Sequence, residues 1–466
     1  MSTQQVSVGI EIDGQILLAG VLLVDRSNDP KIDKSVGRFR YAASYLKNPK
    51  CVTLDPVTMP LTTAEFRFAK FGGLPGALRD SAPDNWGRSL IERIFRCAGH
   101  QGVIAEVDYL LASPSDRGGN LHFSSKVPPV WGDKQLTSEG SHLLHTLQTY
   151  VVEVLRTPPS AGVQKPMPEL LALLTGSGGA RPKVNIKSSQ GTFLVKLALP
   201  ATDVCSVAKV EAGSLALARE CGIEAVDTRI REAGQNDMVA VRRFDRDATV
   251  RRMQTVSAMT VLGADDNDHS NWSYPLLAHE LDRWSADPAA DKLQLFRCMV
   301  FRAMVSDRDD HPRNYSLIRV GEKPGSTFRQ WRLSPMYDCV SGIGRGELAD
   351  ALAMRIGRQG MKISKTNILS ECSAFGLTRE AAENEINQIE LKVLQRWNPV
   401  MRATGMSERD LQLVARAVAP LHERENVGLT AQLLDRFKLA EIGAEAAVGV
   451  EVEWPEVLDA QRPRGG

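Results

Sequence analysis

The sequence predicts an α+β protein: a small N-terminal α/β domain, then a two-lobed unit made of a β-rich lobe, a hinge and a helical lobe. Three observations carry that expectation. Val6, Val8, Ile10 and Ile12 alternate with polar residues or glycine and run through Asp13-Gly14 into the apolar stretch Ile16 to Val24, which is a β-hairpin by pattern and turn chemistry. Strand-like segments then recur at Val184 to Ile186, Gly191 to Leu197 and Met238 to Val241, around one helix from about Ala208 to Cys221. Beyond them, 249–305 and 363–440 carry helical periodicity, as at Leu411, Val414, Ala415 and Val418. The division expected is 1–156, 157–246, 247–447 and a tail, 448–466, whose Pro and Gly end suggests fraying.

Composition narrows the class. The chain has 466 residues, 43% hydrophobic and 24% charged, enough for two or three domains with substantial cores. A net charge of +1 supplies no global field for nucleic acid or membrane. Seven scattered cysteines without a C-x-x-C pair suggest reduced thiols in a cytoplasmic protein, not a disulfide framework or zinc site. The N-terminal residues show no export signal, and the run Ile16 to Val24 is too short to span a bilayer, so no membrane role is expected.

Within the first domain, Phe39 to Leu46, Pro60 to Thr63 and Phe66 to Phe71 extend the α+β region. It ends in L-R-D-S-A-P-D-N-W-G-R, where Pro83-Asp84-Asn85 looks like a helix start and Trp86, Leu90, Ile91 and Ile94 share a face; this reads as a structural cap. Residues 113–140 read as loop, and Thr157 to Gly162 as a linker.

Two stretches carry chemistry. Thr175-Gly-Ser-Gly-Gly can turn consecutive backbone N–H groups toward phosphate oxygens through its three glycines, Gly178 and Gly179 among them, with Ser177, Arg181 or Lys183 as further donors. Lys196 then sits in an apolar strand where its ammonium needs an anion, and the next helix offers Glu211 near its start; a strand lysine paired with a helix glutamate is how kinases position nucleotide phosphates. The connector after Met238 to Val241 falls where a hinge would, so Arg242 and Phe244 are the expected adenine contacts, with Asp245 within reach of the ribose. The second stretch, S-D-R-D-D-H-P-R-N-Y-S-L-I at 306–318, follows a helix with Leu293, Phe296, Met299, Val300 and Met304 on one face. Asp309 with Asn314 five residues on, and Asp338 beyond a predicted hairpin, have the spacing of a phosphoryl-transfer site. The first carboxylate can accept a proton from a hydroxyl, and Asn314 and Asp338 are hard oxygen ligands for Mg²⁺.

With the Gly-rich loop, the strand lysine, V-R-R-F-D-R, R-D-D-H-P-R-N and M-Y-D in this order, the chain resembles the HipA family of serine/threonine kinases, the toxins of type II toxin–antitoxin modules. The likeness extends to L-R-D-S-A-P-D-N-W-G-R and to A-M-R-I-G after Asp338. It implies a protein-kinase-like fold using ATP and Mg²⁺, with Asp309 as catalytic base, Asn314 and Asp338 as metal ligands, Lys196 on the phosphates and adenine at Arg242 to Phe244. It also implies a protein substrate, of the aminoacyl-tRNA synthetase class, and a small helix-turn-helix antitoxin through which DNA is met only indirectly. The family's autophosphorylated loop serine falls on Gly176, with Thr175 and Ser177 on either side. Two other readings compete: a catalytically silent kinase fold serving as interaction module or co-repressor, which the complete set Lys196, Asp309, Asn314 and Asp338 opposes, and a kinase of a small molecule.

Overall fold

The computed structural model describes residues 2–29, 31–83, 85–131, 146–152, 181–188, 190–233, 236–249, 251–321 and 328–421. The chain opens on β1 (Thr3–Ile12) and β2 (Gln15–Asp25), joined by Asp13-Gly14, both with positive φ. β3 (Val36–Tyr41) and β4 (Phe66–Phe68) continue the antiparallel sheet on one side. On the other, β5 (Leu121–Ser124) pairs with β1, giving the order β4-β3-β2-β1-β5. β5 lies inside a stretch expected to be loop: Leu121 and Phe123 alternate with His122 and Ser124, but four residues are too few to announce a strand. Val6, Val8, Ile10, Leu22, Val24 and Phe39 form this domain's core with Val107 and Leu110 of the helix Glu106–Ala112.

A second antiparallel sheet has the order β6-β7-β9-β8, from β6 (Lys183–Ser188), β7 (Gly191–Lys196), β8 (Thr228–Ala233) and β9 (Asn236–Arg242). Successive side chains of a strand face opposite ways, and here both faces are covered. Val239 and Val241 meet Val210, Leu215 and Leu217 of the helix Val207–Glu220 in the largest core. Met238 and Ala240 meet Leu147 and Val151, together with Trp86 and Leu90 of the helix Asn85–Cys97. The helix expected as a cap for the first domain therefore also packs on the second sheet.

The remaining described chain is helix-rich. Tyr274–Trp284, Pro288–Met304, Arg379–Ala403 and Glu408–Ala415 are N-capped by Ser273, Asp287, Thr378 and Ser407, each accepting a backbone N–H of the first turn. Set into this region is a small sheet, β10 (Thr255–Ser257), β11 (Ser316–Arg319) and β12 (Trp331–Leu333), in that order. The β11–β12 pair is the hairpin expected after Asn314; β10 is an addition, too short for periodicity to reveal. Among the described residues, no helix is long and apolar enough to cross a membrane.

Candidate functional site

Lys196 closes β7, a central strand flanked by β6 and β9, so its stem is enclosed and its ammonium buried. Ser206 caps the following helix, and its second turn brings Glu211 under the strand. Lys196 Nζ donates to Glu211 Oε1 at 2.6 Å and to Asp338 Oδ1 at 2.6 Å. One ammonium thus serves two carboxylates, unequally. Burial opposes charge on all three groups, but Asp338 and Glu211 together hold the Lys196 amine above its ordinary value. For Asp338, burial is overcome by Lys196 and Lys183, which hold its carboxyl well below the usual range. For Glu211, burial prevails over Lys196 and raises the carboxyl. Lys183 is buried and stands opposite Lys196 in the β6–β7 register, so two cations converge on Asp338.

The 306–314 loop is delivered by the helix Pro288–Met304, whose Arg302 is fully buried. Its guanidinium pairs with Asp307, donates from Nη1 to the Asp338 carbonyl at 3.0 Å and from Nη2 to the Tyr337 carbonyl at 2.7 Å. A guanidinium inside the core thereby ties the loop to the segment carrying Asp338. Burial pushes Asp307 up to about 6 against the pull of Arg302. Asp310 is also buried, accepting from the Tyr315 hydroxyl at 3.2 Å, and burial raises it strongly.

Asp309, by contrast, is exposed at the surface of the loop. Surrounding protein raises its carboxyl, His311 opposes this, and Asp338 adds repulsion. Asn314 is buried, and its Nδ2 donates to the Asp309 carbonyl at 2.9 Å, which leaves the amide oxygen for another partner. Asp338 itself adopts φ 51°, the left-handed region in which Asp and Asn are the best-tolerated side chains after glycine.

The connector after β9 departs from expectation. Arg242 is exposed, 3.9 Å from Asp227, and its N–H donates to the Asp227 carbonyl at 2.8 Å, so that N–H is not offered to an adenine. Phe244 stacks on Tyr337, ring centroids 4.9 Å apart. Asp245, expected near a ribose, is buried elsewhere: it accepts from Gly119 N at 2.9 Å, Arg243 Nη2 at 2.7 Å and Arg246 Nη1 at 2.8 Å, which saturates the carboxylate. Arg181 is likewise engaged, its Nη1 donating to Asp203 at 2.9 Å. Thr175, Ser177, Gly178 and Gly179 lie outside the described residues.

Against this geometry, comparison with known proteins is informative. Residues 27–124 match the model of the HipA N-terminal domain, and 175–397 match that of the HipA-like C-terminal domain. The chain belongs to the HipA family. A structure of HipA from the Shewanella oneidensis toxin–antitoxin system, solved with HipB and operator DNA, superposes with a TM-score of 0.59 at 17% identity, covering 92% of this chain and 96% of that one; it shares the fold. A curated relative from Sinorhizobium fredii, named "Putative kinase Y4mE", is 27% identical over 157 residues, and the match spans 36% of its length. The Helicobacter pylori proinflammatory kinase CtkA aligns with 56% of this chain and 91% of that one, at 14% identity and a TM-score of 0.39.

In this HipA-family chain the donors fit a hard cation bound together with phosphate: the Asn314 amide oxygen and the Asp338 carboxylate are oxygen ligands, and Lys183 and Lys196 are the cations beside them. Arg302, Asp307, Asp310 and Tyr337 were not singled out from sequence. The signal for Arg302 is an arginine within an apolar helical face, followed one turn later by Asp307, Asp309 and Asp310.

Proposed function

We propose that this HipA-family chain is an ATP- and Mg²⁺-dependent serine/threonine protein kinase of the toxin type. The observation that carries this reading is the Lys196 ammonium bridging Glu211 and Asp338, with Asn314 locked onto the Asp309 backbone nearby. In this reading the β6–β9 sheet with the helix Val207–Glu220 is the first lobe, the connector near 242–246 the hinge, and the helix-rich region the second lobe, with domains at 1–156, 157–246 and 247–447.

Lys196 and Lys183 hold nucleotide phosphates, and Glu211 keeps the Lys196 stem from swinging away. Asn314 and Asp338 hold Mg²⁺, which when bound neutralises charge on the phosphates. Asp309, exposed and raised, is placed to take the proton of a serine or threonine hydroxyl as that oxygen bonds to the γ-phosphorus and the bond to ADP breaks. The adenine then meets the backbone beyond Arg242 and the Phe244–Tyr337 stack, not the Arg242 N–H. By resemblance, the substrate is a protein of the aminoacyl-tRNA synthetase class, and a small helix-turn-helix antitoxin restrains the enzyme and links it to DNA. Thr175 or Ser177 is the candidate for self-modification.

The test is transfer of labelled γ-phosphate from ATP with Mg²⁺ to protein, for the parent chain and Asp309→Asn. Transfer by the parent alone supports the reading; transfer by neither, with both folded, sinks it.

A further inference from the structure

We propose that Asp80, supplied by the N-terminal domain, is a positioning residue for the 309–314 loop and acts through Arg313. Its catalytic consequence rests on the kinase reading above; the coupling rests on geometry alone. Asp80 follows the short helix Gly76–Arg79 in the segment read from sequence as a cap. Its carboxylate reaches out of its own domain: Oδ2 accepts from the Ser257 N–H at 2.8 Å and the Thr260 hydroxyl at 2.9 Å, and Oδ1 from the Ser257 hydroxyl at 2.6 Å. The same Oδ1 lies 3.6 Å from Arg313 Nη1.

Each partner adjoins the site. Ser257 ends β10, and the next residue, Ala258, donates its N–H to the Tyr315 carbonyl at 2.8 Å. Arg313 immediately precedes Asn314, and its carbonyl accepts from the Tyr337 hydroxyl at 2.6 Å. Tyr337 in turn immediately precedes Asp338. One carboxylate thus steadies the residue before Asn314 and, through that residue's carbonyl, the residue before Asp338. Asp266 braces the assembly, accepting from Arg313 Nη2 at 3.0 Å and pairing with Arg79. The docking leaves no slack: a Cβ on Gly76 would stand 2.5 Å from Thr260 Cγ2. A plain cap would need only Ser257 and Thr260, so the contact with Arg313 distinguishes the two roles.

The experiment uses the full chain and compares Asp80→Asn, Arg313→Gln, the double variant and Ser257→Ala. Two readouts are taken: amide hydrogen exchange over 309–316 and 336–339 without nucleotide, and kcat and KM for ATP. Asp80→Asn is expected to speed exchange in both segments and to lower kcat by about 10- to 100-fold, the usual range for loss of a partner that orients a ligand, with KM for ATP little changed. The double variant should be no worse than Arg313→Gln alone, and Ser257→Ala should keep kcat near the parent value. Unchanged exchange in Asp80→Asn, effects that multiply in the double variant, or a Ser257→Ala defect equal to that of Asp80→Asn would overturn the proposal. If Asp80→Asn does not fold, Arg313→Gln carries the exchange comparison, and unaltered protection at 336–339 overturns it. A parent chain that transfers no phosphate defeats the kinase reading, while exchange still decides the coupling.

Discussion

Two charge clusters in this molecule differ in how completely they are matched. Around Asp245, the guanidinium groups of Arg243, Arg246 and Arg252 face the carboxylates of Asp116, Asp245 and Glu11. Three cations meet three anions, and despite burial the arginines hold Asp116 and Asp245 below the ordinary range. Around Lys196, the cations Lys183, Lys196 and Arg302 share space with Glu211, Asp307, Asp309, Asp310 and Asp338. Here the carboxyls diverge: Asp338 is held low, whereas Glu211, Asp307, Asp309 and Asp310 are raised. A matched cluster joins one part of a fold to another. An anion-rich cluster retains capacity for a cation and for a proton, which phosphoryl transfer needs.

Substitutions should separate the two. The largest effect is expected from Asp309→Asn, which removes the proposed proton acceptor on an exposed side chain: kcat should fall by about 10²- to 10⁴-fold with the melting temperature essentially unchanged. Activity near the parent level would take Asp309 out of the mechanism. Asp245→Ala should do the reverse, costing about 3–5 kcal/mol because the buried guanidinium groups of Arg243 and Arg246 lose their shared partner, while the protein that remains folded keeps its activity. Denaturant unfolding alongside activity per folded molecule measures both. A large loss of activity with intact stability would place Asp245 at the site after all.

Asp338→Ala should weaken Mg²⁺-dependent nucleotide binding more than it weakens the fold, since the Lys196 ammonium keeps Glu211. A fluorescent-nucleotide titration against Mg²⁺ checks this, and an unshifted midpoint would count against the assignment. The smallest effect is one of pH. The acid limb of kcat/KM reports the free enzyme, so it should lie above an ordinary aspartate, because Asp309 is raised. His311 opposes that rise by favouring the carboxylate, so His311→Gln should move the limb upward. A downward shift would assign the limb to another group.

What was legible in the sequence was local. The Asp13-Gly14 hairpin, the strand with Lys196, the helix with Glu211 and the hairpin between Asn314 and Asp338 all announce themselves within short windows, and burial forced the lysine to find its carboxylates. The cluster around Asp245 was not legible, because Gly119, which donates to Asp245, and Asp116, which pairs with Arg246, lie more than a hundred residues away and only folding brings them together. Asp80 escaped for the same reason, its partners being Ser257, Thr260 and Arg313. β5 and β10 escaped because four and three residues are too few to show a period.

The left-handed backbone at Asp338 has a consequence for inheritance. A single nucleotide change in an aspartate codon gives Asn, Gly, Glu, Ala, Val, His or Tyr. Asn and Gly suit the backbone but surrender the negative charge that pairs with Lys196. Glu keeps the charge, but its longer side chain must enter a pairing with Lys196 fitted to a shorter one, from a backbone that disfavours it. The rest lose the charge and gain strain or a gap. No neighbouring codon satisfies both demands, so each single-nucleotide replacement here is expected to weaken the pairing with Lys196 or strain the backbone.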